Sequence, residues 1–385
     1  MALVDKIVGY SDELTALRRD FHAHPELGFE ETRTSGIVAD LLEKWGIETH
    51  RGIGGTGVVG VLDGSGPGRT IGLRADMDAL PIHEETNLPY RSTNPGVSHA
   101  CGHDGHTTML LGAARYLAET RDFKGRAVFV FQPAEEGLGG ARAMLADGLF
   151  DRFPVDEIYG LHNAPFDAPG KVAIKPGVAM AGADFFDITL KGSGSHGAMP
   201  HESRDPIIAA TALVQALQSI VSRNLNPKET AVVSVTQIHA GSAYNVIPAE
   251  AVISGTARMF TPAVREEIRQ RIRTLSDGVA EMFGMSVEVD IRDIFTVLEN
   301  DHTLSHEFLK LAVETVGEDN ARLTEDPVTG SEDFADMLQA VPGAYFTIGH
   351  EGDVPLHNPG FVLDDGILPL GASLFARIVE TRAAA

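Results

Sequence analysis

Thiol, imidazole and carboxylate side chains are concentrated in the segment HACGHDGH, which covers residues 99–106. These are the donors that hold divalent transition metals in proteins, and the segment contains both Cys101 and His103. An apolar helical pattern follows directly. A polar loop with a capped helix and a buried cysteine is the alternative, but so many donors at the start of a helix favour a metal centre.

Three other segments carry side chains that suit such a centre. Glu135 and Glu136 follow the apolar run AVFVF. Because adjacent carboxylates in an apolar setting repel each other unless a cation lies nearby, Glu136 is a candidate ligand and Glu135 a candidate general base. His162 closes the apolar run EIYGL, and His357 lies in the loop PLHNPGF. Taken singly, the glutamates could be an exposed acidic turn, His162 a core histidine and His357 part of a surface turn. Together with Cys101 and His103, Glu136 and the two histidines suit a ligand set for two metal ions.

The fold must bring these segments together, and the first half of the chain alternates helix-like and strand-like patterns, which is typical of an α/β sheet. The clusters RADMD (74–78), QPAEE (132–136) and His162-Asn163 each follow a predicted strand directly. Open α/β sheets bind ligands at the carboxyl ends of their strands, so we expect the clusters to converge. The predicted strands span residues 58–62, 70–73, 127–131 and 157–161, and the predicted helices span residues 4–20, 32–45, 106–119 and 141–146.

The pattern changes near residue 184 to strand, helix, strand, strand, helix and strand, the order of a ferredoxin-like unit, with the first of these helices predicted over residues 206–223. The last segment of the chain again reads as helix then strand and can complete the first sheet. We therefore predict an α/β catalytic domain made of residues 1–183 and 293–385, with a mixed sheet flanked by helices, and an inserted ferredoxin-like domain at residues 184–292.

Polar residues of the inserted region are candidates for substrate contacts. His196 lies in the Gly- and Ser-rich segment GSGSHGAMPH, from which it can reach a neighbouring site or simply be a polar loop residue. A nucleophile elbow centred on Ser195 is excluded, because the local pattern is S-x-S-x-G. Arg258 and Asn245 suit a carboxylate or an amide, although each alone is no better than a surface residue. The G-x-G-x-x-G pattern at residues 52–57 precedes a strand and a turn, whereas a dinucleotide fingerprint needs a helix.

Composition narrows the class of protein. The chain has 385 residues and a net charge of 31 − 54 = −23, which disfavours nucleic acid and anionic lipid as partners. No apolar stretch approaches the roughly 20 residues of a membrane span, and the first residues lack the apolar core of a signal peptide, so we expect a cytoplasmic protein. With Cys101 as its single cysteine, the chain has no intramolecular disulfide.

The ordered motifs resemble the M20 peptidase group of metal-dependent amidohydrolases and aminoacylases, in particular its hippurate hydrolase and auxin-conjugate hydrolase branch. The resemblance covers nearly the whole chain. It implies a di-metal catalytic domain with an inserted lid that dimerises. The motifs that carry it are RRDFHAHPELGFEE (18–31), LRADMDALPI (73–82), HACGHDGHTTMLLGAA (99–114), FQPAEEG (131–137), GLHN (160–163), GSHGAMPH (194–201), NVIP (245–248), GTAR (255–258), GSEDF (330–334) and LHNPGF (356–361).

The resemblance also implies roles for individual residues. Glu135 would be the general base and later the acid, while His196, from the lid of the partner in a homodimer, would stabilise the oxyanion. Arg258 and Asn245 would hold the substrate. The wider group has His-x-Asp where this chain has Asp76-Met-Asp78, so Asp78 is better interpreted as a residue that orients the site, and the role of Asp76 stays open. The residues implied to bind the two metals are Cys101, His103, Glu136, His162 and His357.

The leading hypothesis is hydrolysis of N-acyl amino acids to a carboxylic acid and a free amino acid, with Mn, Zn or Co as the metal and Mn favoured by the resemblance. A dimer of dimers is the alternative assembly. A dipeptidase or an aryl-amine hydrolase on the same scaffold is the second enzyme hypothesis. A binding protein with a vestigial site would load metal without turning over any amide, and a serine hydrolase would be insensitive to chelators.

Overall fold

The computed structural model describes residues 3–384. Within them, no helix is both long and apolar enough to cross a membrane. The helices are α1 (Asp5–Val8), α2 (Ser11–Ala23), α3 (Thr32–Lys44), α4 (His103–Thr120), α5 (Gly140–Ala146), α6 (Leu149–Arg152), α7 (Pro206–Leu217), α8 (Pro262–Phe283), α9 (His302–Val316), α10 (Phe334–Ala340) and α11 (Leu368–Arg382). The strands are β1 (Glu48–Ile53), β2 (Gly57–Asp63), β3 (Thr70–Asp76), β4 (Arg126–Gln132), β5 (Glu157–Ala164), β6 (Val172–Ile174), β7 (Gly177–Met180), β8 (Gly182–Lys191), β9 (Ser195–His196), β10 (Ala231–Ala240), β11 (Val246–Ile247), β12 (Glu250–Met259), β13 (Ser286–Phe295), β14 (Leu298–Asn300), β15 (Ala321–Leu323) and β16 (Gly343–Gly349).

The chain divides into two compact units. The second unit consists of Met180–Val297 with Val328–Glu332, and the first contains the other described residues. The sequence places the limits of the inserted domain at residues 184 and 292, against 180 and 297 in this division. The short segment 328–332 was not expected in the second unit; it joins that unit through a bridge between Met180 and Val328.

The first unit is built on an eight-stranded mixed sheet with the strand order β1-β2-β4-β3-β5-β16-β6-β15. Strands β4, β3, β5 and β16 at its centre are mutually parallel, and β1 and β2 run antiparallel to their neighbours. Strand β6 runs antiparallel to β16 and parallel to β15. The central strands are almost wholly buried, because helices cover a parallel sheet on both faces. Every residue of α4 from His103 to Ala114 is buried as well. The predicted α/β fold class is confirmed.

The second unit has the expected β-α-β-β-α-β order, formed by β8, α7, β10, β12, α8 and β13. Its antiparallel sheet has the order β10-β12-β8-β13. Exposure alternates along β12, so one face of the strand packs on α7 and α8 while the other is more accessible. The second hydrophobic core of the molecule lies between this face and the two helices.

Two of the predicted helices begin or end elsewhere, and the helix expected over residues 4–20 is divided into α1 and α2. The helix expected from His106 begins at His103, and the helix expected over residues 206–223 ends at Leu217, followed by a π-helical turn at Ile220–Asn224. The first correction matters for the chemistry, because it places His103 on the first turn of α4 rather than in the loop before it.

Candidate metal centre

The donors expected from the sequence meet at the carboxyl ends of the parallel strands. Cys101 lies in the loop before α4, Glu136 follows β4, and His162 lies on β5. Donor atoms of Cys101, His103 and His162 all lie within 4.8 Å of one another, and so do those of Cys101, Glu136 and His357. Because Cys101 belongs to both groups, the five residues form one continuous cluster around the thiol.

A glycine allows Cys101 and His103 to reach the same cluster. Gly102 precedes the first residue of α4 and has φ +98°, a left-handed conformation that favours glycine. A Cβ at this position would lie 2.4 Å from Oδ1 of Asn163, which leaves no room for a side chain. The turn at Gly102 is therefore required both by its backbone angle and by the packing of β5 against it.

Hydrogen bonds orient two of the imidazoles so that one nitrogen of each faces the cluster. Nδ1 of His103 lies 2.9 Å from the backbone oxygen and 3.2 Å from Oδ1 of Asp78. Since both are acceptors, Nδ1 carries the hydrogen in the neutral, metal-binding form of the ring, and the lone pair is then on Nε2. Likewise, Nδ1 of His162 donates to the backbone oxygen of Asn163 at 2.8 Å, and its Nε2 lies 3.4 Å from Sγ of Cys101.

The cluster contains a buried polar atom that the protein leaves unsatisfied. Nε2 of His103 has no hydrogen-bond partner among the described residues, although it is buried and lies 3.9 Å from Oε1 of Glu136. An unpaired buried nitrogen is costly unless something binds it. An imidazole lone pair facing a thiol and a carboxylate fits a divalent metal of borderline softness.

The electrostatics of the cluster favour a cation. Hydrogen bonds to Cys101 and then to Glu136 raise the pKa of His357 to about 10, so positive charge is stabilised at this point. Burial raises the pKa of the Cys101 thiol and lowers that of His162 well below its usual value. A neutral imidazole at His162 is the form that binds a metal.

The loop after β4 holds the two adjacent carboxylates. Glu135 is 6% exposed, and the backbone N–H of Glu136 donates to Oδ2 of Asp78 at 3.0 Å. The residue before them, Ala134, has φ +54°, which is a strained conformation for a residue with a Cβ. Asp78 therefore contacts both His103 and the Glu136 backbone, an arrangement suited to orienting the site.

A second buried network lies beside the cluster and contains Asp76, whose role the sequence leaves open. Asp76, at the end of β3, pairs with Arg74 at 2.7 Å and lies 2.7 Å from Nδ1 of His106, whose Nε2 lies 2.8 Å from Oδ1 of Asn163. Arg74 in turn donates to Asp333 at 3.2 Å. Burial alone would raise the pKa of Asp76, but the charges of His103, His106 and Arg74 lower it well below its usual value. Its position at the end of an apolar strand was the available signal.

The remaining expected residues belong to the second unit, whereas the cluster belongs to the first. His196 on β9 pairs with Val246 on β11, and the backbone of Asn245 accepts a hydrogen bond from Gly197 at 2.7 Å, so His196 and Asn245 lie on one small ribbon. Nδ1 of His196 accepts a hydrogen bond from Ala198, which leaves Nε2 available on an exposed side chain.

Arg258 lies on β12 and is half-buried. Its guanidinium donates to Oγ1 of Thr256 at 2.9 Å, and no carboxylate among the described residues forms an ion pair with it. Burial lowers its pKa. An arginine with this environment is suited to an incoming carboxylate.

Two alternatives from the sequence find no support. Oγ of Ser195 donates to the backbone oxygen of Met199 at 3.1 Å rather than to an imidazole, as a serine nucleophile would require. The glycines at residues 52–57 form the turn between β1 and β2, so no helix follows them and a dinucleotide site is excluded.

Comparisons with known proteins agree with this geometry. The family model for peptidase family M20/M25/M40 matches residues 72–381. The chain is 42% identical to hippurate hydrolase of Campylobacter jejuni over 98% of each chain, and 38% identical to IAA-amino acid hydrolase ILR1-like 4 of Arabidopsis thaliana over 95% of this chain and 85% of that one. The crystal structure of Bacillus subtilis YXEP, described as a dinuclear metal-binding peptidase of the M20 family, superimposes with a TM-score of 0.82 at 34% identity, over 97% of this chain and 99% of that chain.

Proposed function

The chain belongs to peptidase family M20/M25/M40, and we propose that it hydrolyses the amide bond of N-acyl amino acids to release a carboxylic acid and a free amino acid. The observation that carries this proposal is the donor cluster around Cys101, with Glu135 beside it. Full-length similarity to a hippurate hydrolase and to an IAA-amino acid hydrolase supports aromatic acyl groups among the substrates.

We propose that two divalent ions, of Mn, Zn or Co, are held by the donor cluster. When bound, such ions supply Lewis acidity that lowers the pKa of water and polarises a carbonyl. The buried Nε2 of His103 and the thiol of Cys101 support a metal of this softness. The proposed ligands are Cys101, His103, Glu136, His162 and His357.

Glu135 is the residue we assign to proton transfer. Its carboxylate takes a proton from the attacking water and then delivers it to the amine that leaves, so it acts first as base and then as acid. Two observations support Glu135 as the proton-transfer group and Glu136 as the metal ligand. Glu135 is buried, and its carboxylate lies close to that of Glu136 and to His103 in the donor cluster. Asp78 keeps Nε2 of His103 directed at the cluster by holding Nδ1.

The second unit supplies the proposed substrate contacts. Arg258 binds the substrate carboxylate, Asn245 holds the scissile group, and His196 donates a hydrogen bond from Nε2 to the tetrahedral oxyanion. We propose that His196 comes from the partner of a homodimer, or within a dimer of dimers. The exposed edge strand β10 and the exposed loop after it support pairing between copies, since an unpaired strand edge is a template for another strand.

The cytoplasm is the proposed place of action, because a thiol ligand such as Cys101 stays reduced there. Neither nucleic acid nor membrane is proposed as a partner.

Release of free amino acid tests the proposed function. Chelator-treated protein, with and without added Mn, Co or Zn, is assayed on hippurate, N-acetyl amino acids, indoleacetyl conjugates, dipeptides and an aryl amide. Metal-dependent release from the N-acyl amino acids is expected, and release only from dipeptides or from the aryl amide would favour the second enzyme hypothesis. No release from any member despite bound metal would contradict an enzymatic function on amides.

Two variants test the assigned residues. Glu135→Gln should lower kcat by about 10²- to 10⁴-fold while metal content persists, since it removes only the proton-transfer group. His196→Ala should abolish turnover and also leave metal content unchanged. Glu229→Gln, an exposed position in the second unit, is the matched control.

A further inference from the structure

The N-terminal segment around residues 25–31 has no part in the chemistry above, yet it packs against the loop that carries the two adjacent carboxylates. A Cβ at Gly28 would lie 3.0 Å from the Cα of Ala134, which is tighter than ordinary side-chain contacts, so the absence of a side chain allows this approach. On its other side, the backbone oxygen of Glu26 accepts a hydrogen bond from Ala79 at 2.8 Å. The segment is thus fixed between two loops of the first unit.

Within this segment, the side chain that caps the N-terminus of α3 is that of Glu26 and not that of Glu31. Glu31 occupies the N-cap position of α3, where an acidic side chain normally accepts from the first free N–H groups. Its side chain makes no such bond. The carboxylate of Glu26 accepts instead from the N–H groups of Arg33 at 2.9 Å and Thr34 at 2.8 Å. The carboxyl group of Glu31 is therefore not needed for the helix.

The carboxyl group of Glu31 points into the protein. Glu31 is fully buried, and it accepts hydrogen bonds from the backbone N–H of Ala134 at 2.8 Å and from Oγ1 of Thr56. Burial raises its pKa, and no basic side chain hydrogen bonds to it among the described residues. Burying a carboxyl group without a basic partner costs free energy, and one of its two hydrogen bonds to other residues restrains the N–H of Ala134.

We propose that Glu31 is a positioning residue that holds the Ala134 peptide in its left-handed conformation and thereby sets the directions in which Glu135 and Glu136 leave the backbone. The roles of Glu135 and Glu136 rest on the proposed function. Asp78 holds the N–H of Glu136 in the same way, so a buried carboxyl group fixes the backbone on each side of Glu135. The backbone oxygen of Ala134 accepts from the N–H of Gly140 at 3.0 Å, so Glu31 supplies the restraint on the N–H of this φ +54° residue and Gly140 the restraint on its carbonyl.

Metal affinity is the first measurement, because it does not require turnover. Zn²⁺ dissociation constants are determined by competition with a chromophoric chelator for Glu31→Ala, Glu31→Gln and the starting protein. Glu31→Ala should weaken Zn²⁺ binding about tenfold or more, since Glu136 loses its fixed direction. Glu31→Gln retains an oxygen that accepts from Ala134, and its affinity should stay within about threefold. Glu30→Ala, an exposed neighbour, is the matched control and should bind like the starting protein.

Kinetics and amide exchange separate positioning from general stability. On hippurate, Glu31→Ala should lower kcat about tenfold or more with KM within about threefold, because Glu135 and Glu136 are misdirected for the chemical step while the substrate contacts are unchanged. Hydrogen exchange of the Ala134 amide should speed up about tenfold in the same variant. Circular dichroism checks that the variant folds. If it does not, Glu31→Asp, which retracts the carboxylate by one methylene, replaces it in every arm.

Affinity, kcat and exchange within twofold of the starting protein in Glu31→Ala or Glu31→Asp would overturn the proposal, and so would a Glu31→Gln variant as impaired as Glu31→Ala. Failure of the proposed function shows itself differently. In that case the starting protein releases no amino acid from any N-acyl conjugate, while the affinity and exchange measurements still decide the role of Glu31.

Discussion

Replacement of Asp78 by asparagine tests how the metal-binding nitrogen of His103 is selected. In the native protein, both the carboxylate and the backbone oxygen of Asp78 face Nδ1, so the hydrogen stays there and Nε2 keeps its lone pair. Oδ2 also accepts from the Glu136 N–H at 3.0 Å. An asparagine side chain has only one oxygen, so it must present an NH₂ group to one of these two donors.

The expected size of the effect follows from the bonds that are lost. A hydrogen bond to a charged group contributes about 1.5–3 kcal/mol. Because the backbone oxygen at 2.9 Å still restrains Nδ1, we take the lower half of that range, about 1.5–2 kcal/mol. At about 1.4 kcal/mol per factor of ten, Asp78→Asn should weaken metal binding about 10- to 30-fold.

The assay is chelator competition for Zn²⁺ and for Mn²⁺, followed by kcat at saturating metal. Asp122→Asn, an exposed position just after α4, is the control and should leave both quantities unchanged. A Kd for Asp78→Asn within twofold of the starting protein, with the fold intact, would refute the argument that Asp78 selects the tautomer of His103.

Three further predictions concern pH, packing and substrate binding. Burial lowers the pKa of His22, but hydrogen bonds to Asp104 and Glu84 outweigh it and raise the value to about 9. The raised pKa contributes about 3 kcal/mol to the free energy of unfolding, fully present below pH about 6.5 and lost as pH rises through about 9. The free energy of unfolding of His22→Gln, measured in urea, should therefore depend less on pH between these values than that of the starting protein. An equal pH dependence in the two proteins would contradict this prediction. Gly102→Ala should lower the free energy of unfolding by about 2–4 kcal/mol and reduce bound metal, because strain and the collision with Asn163 add. Gly96→Ala, with φ +83° and nothing within 4 Å, should show the strain alone, and an equal loss in both variants would exclude the collision. Arg258→Gln should raise KM for N-acyl amino acids about tenfold or more with kcat less affected, and an unchanged KM in steady-state kinetics would remove Arg258 from the binding site.

Elements with a strong apolar pattern could be predicted from the sequence. Strands β3, β4 and β5 were found because buried parallel strands are almost continuously apolar. Strand β1 was missed because it lies at the sheet edge and carries the polar sequence ETHRGI, and β15 lies at the opposite edge and has only three residues. The start of α4 at His103 depends on the left-handed conformation of Gly102, and the spacing of apolar residues in the sequence does not show this conformation.

The sequence signals for the proposed ligands differ: Glu136 and His162 follow or close an apolar run, whereas Cys101 and His103 lie in a donor-rich segment at the start of a helix. His357, in a loop, is a candidate only together with the others. The Asp76 network could not be found from the sequence, because it depends on pairing between distant segments: Arg74 and Asp333 are 259 positions apart, and Asp76 meets His106 only when α4 packs on β3. The sequence also could not show that Glu26 caps α3 while Glu31 bonds to Ala134, because a glutamate at either position could cap the helix.

The position of β16 in the large sheet has a consequence for synthesis on the ribosome. This strand is formed by Gly343–Gly349, yet it lies between β5 and β6 and pairs with both. The edges of β5 and β6 that face β16 therefore stay unpaired until residue 349 has been translated. The ferredoxin-like sheet needs only residues up to β13, so we expect this sheet to form first during synthesis, while the sheet of the first unit keeps open strand edges until β16 is made.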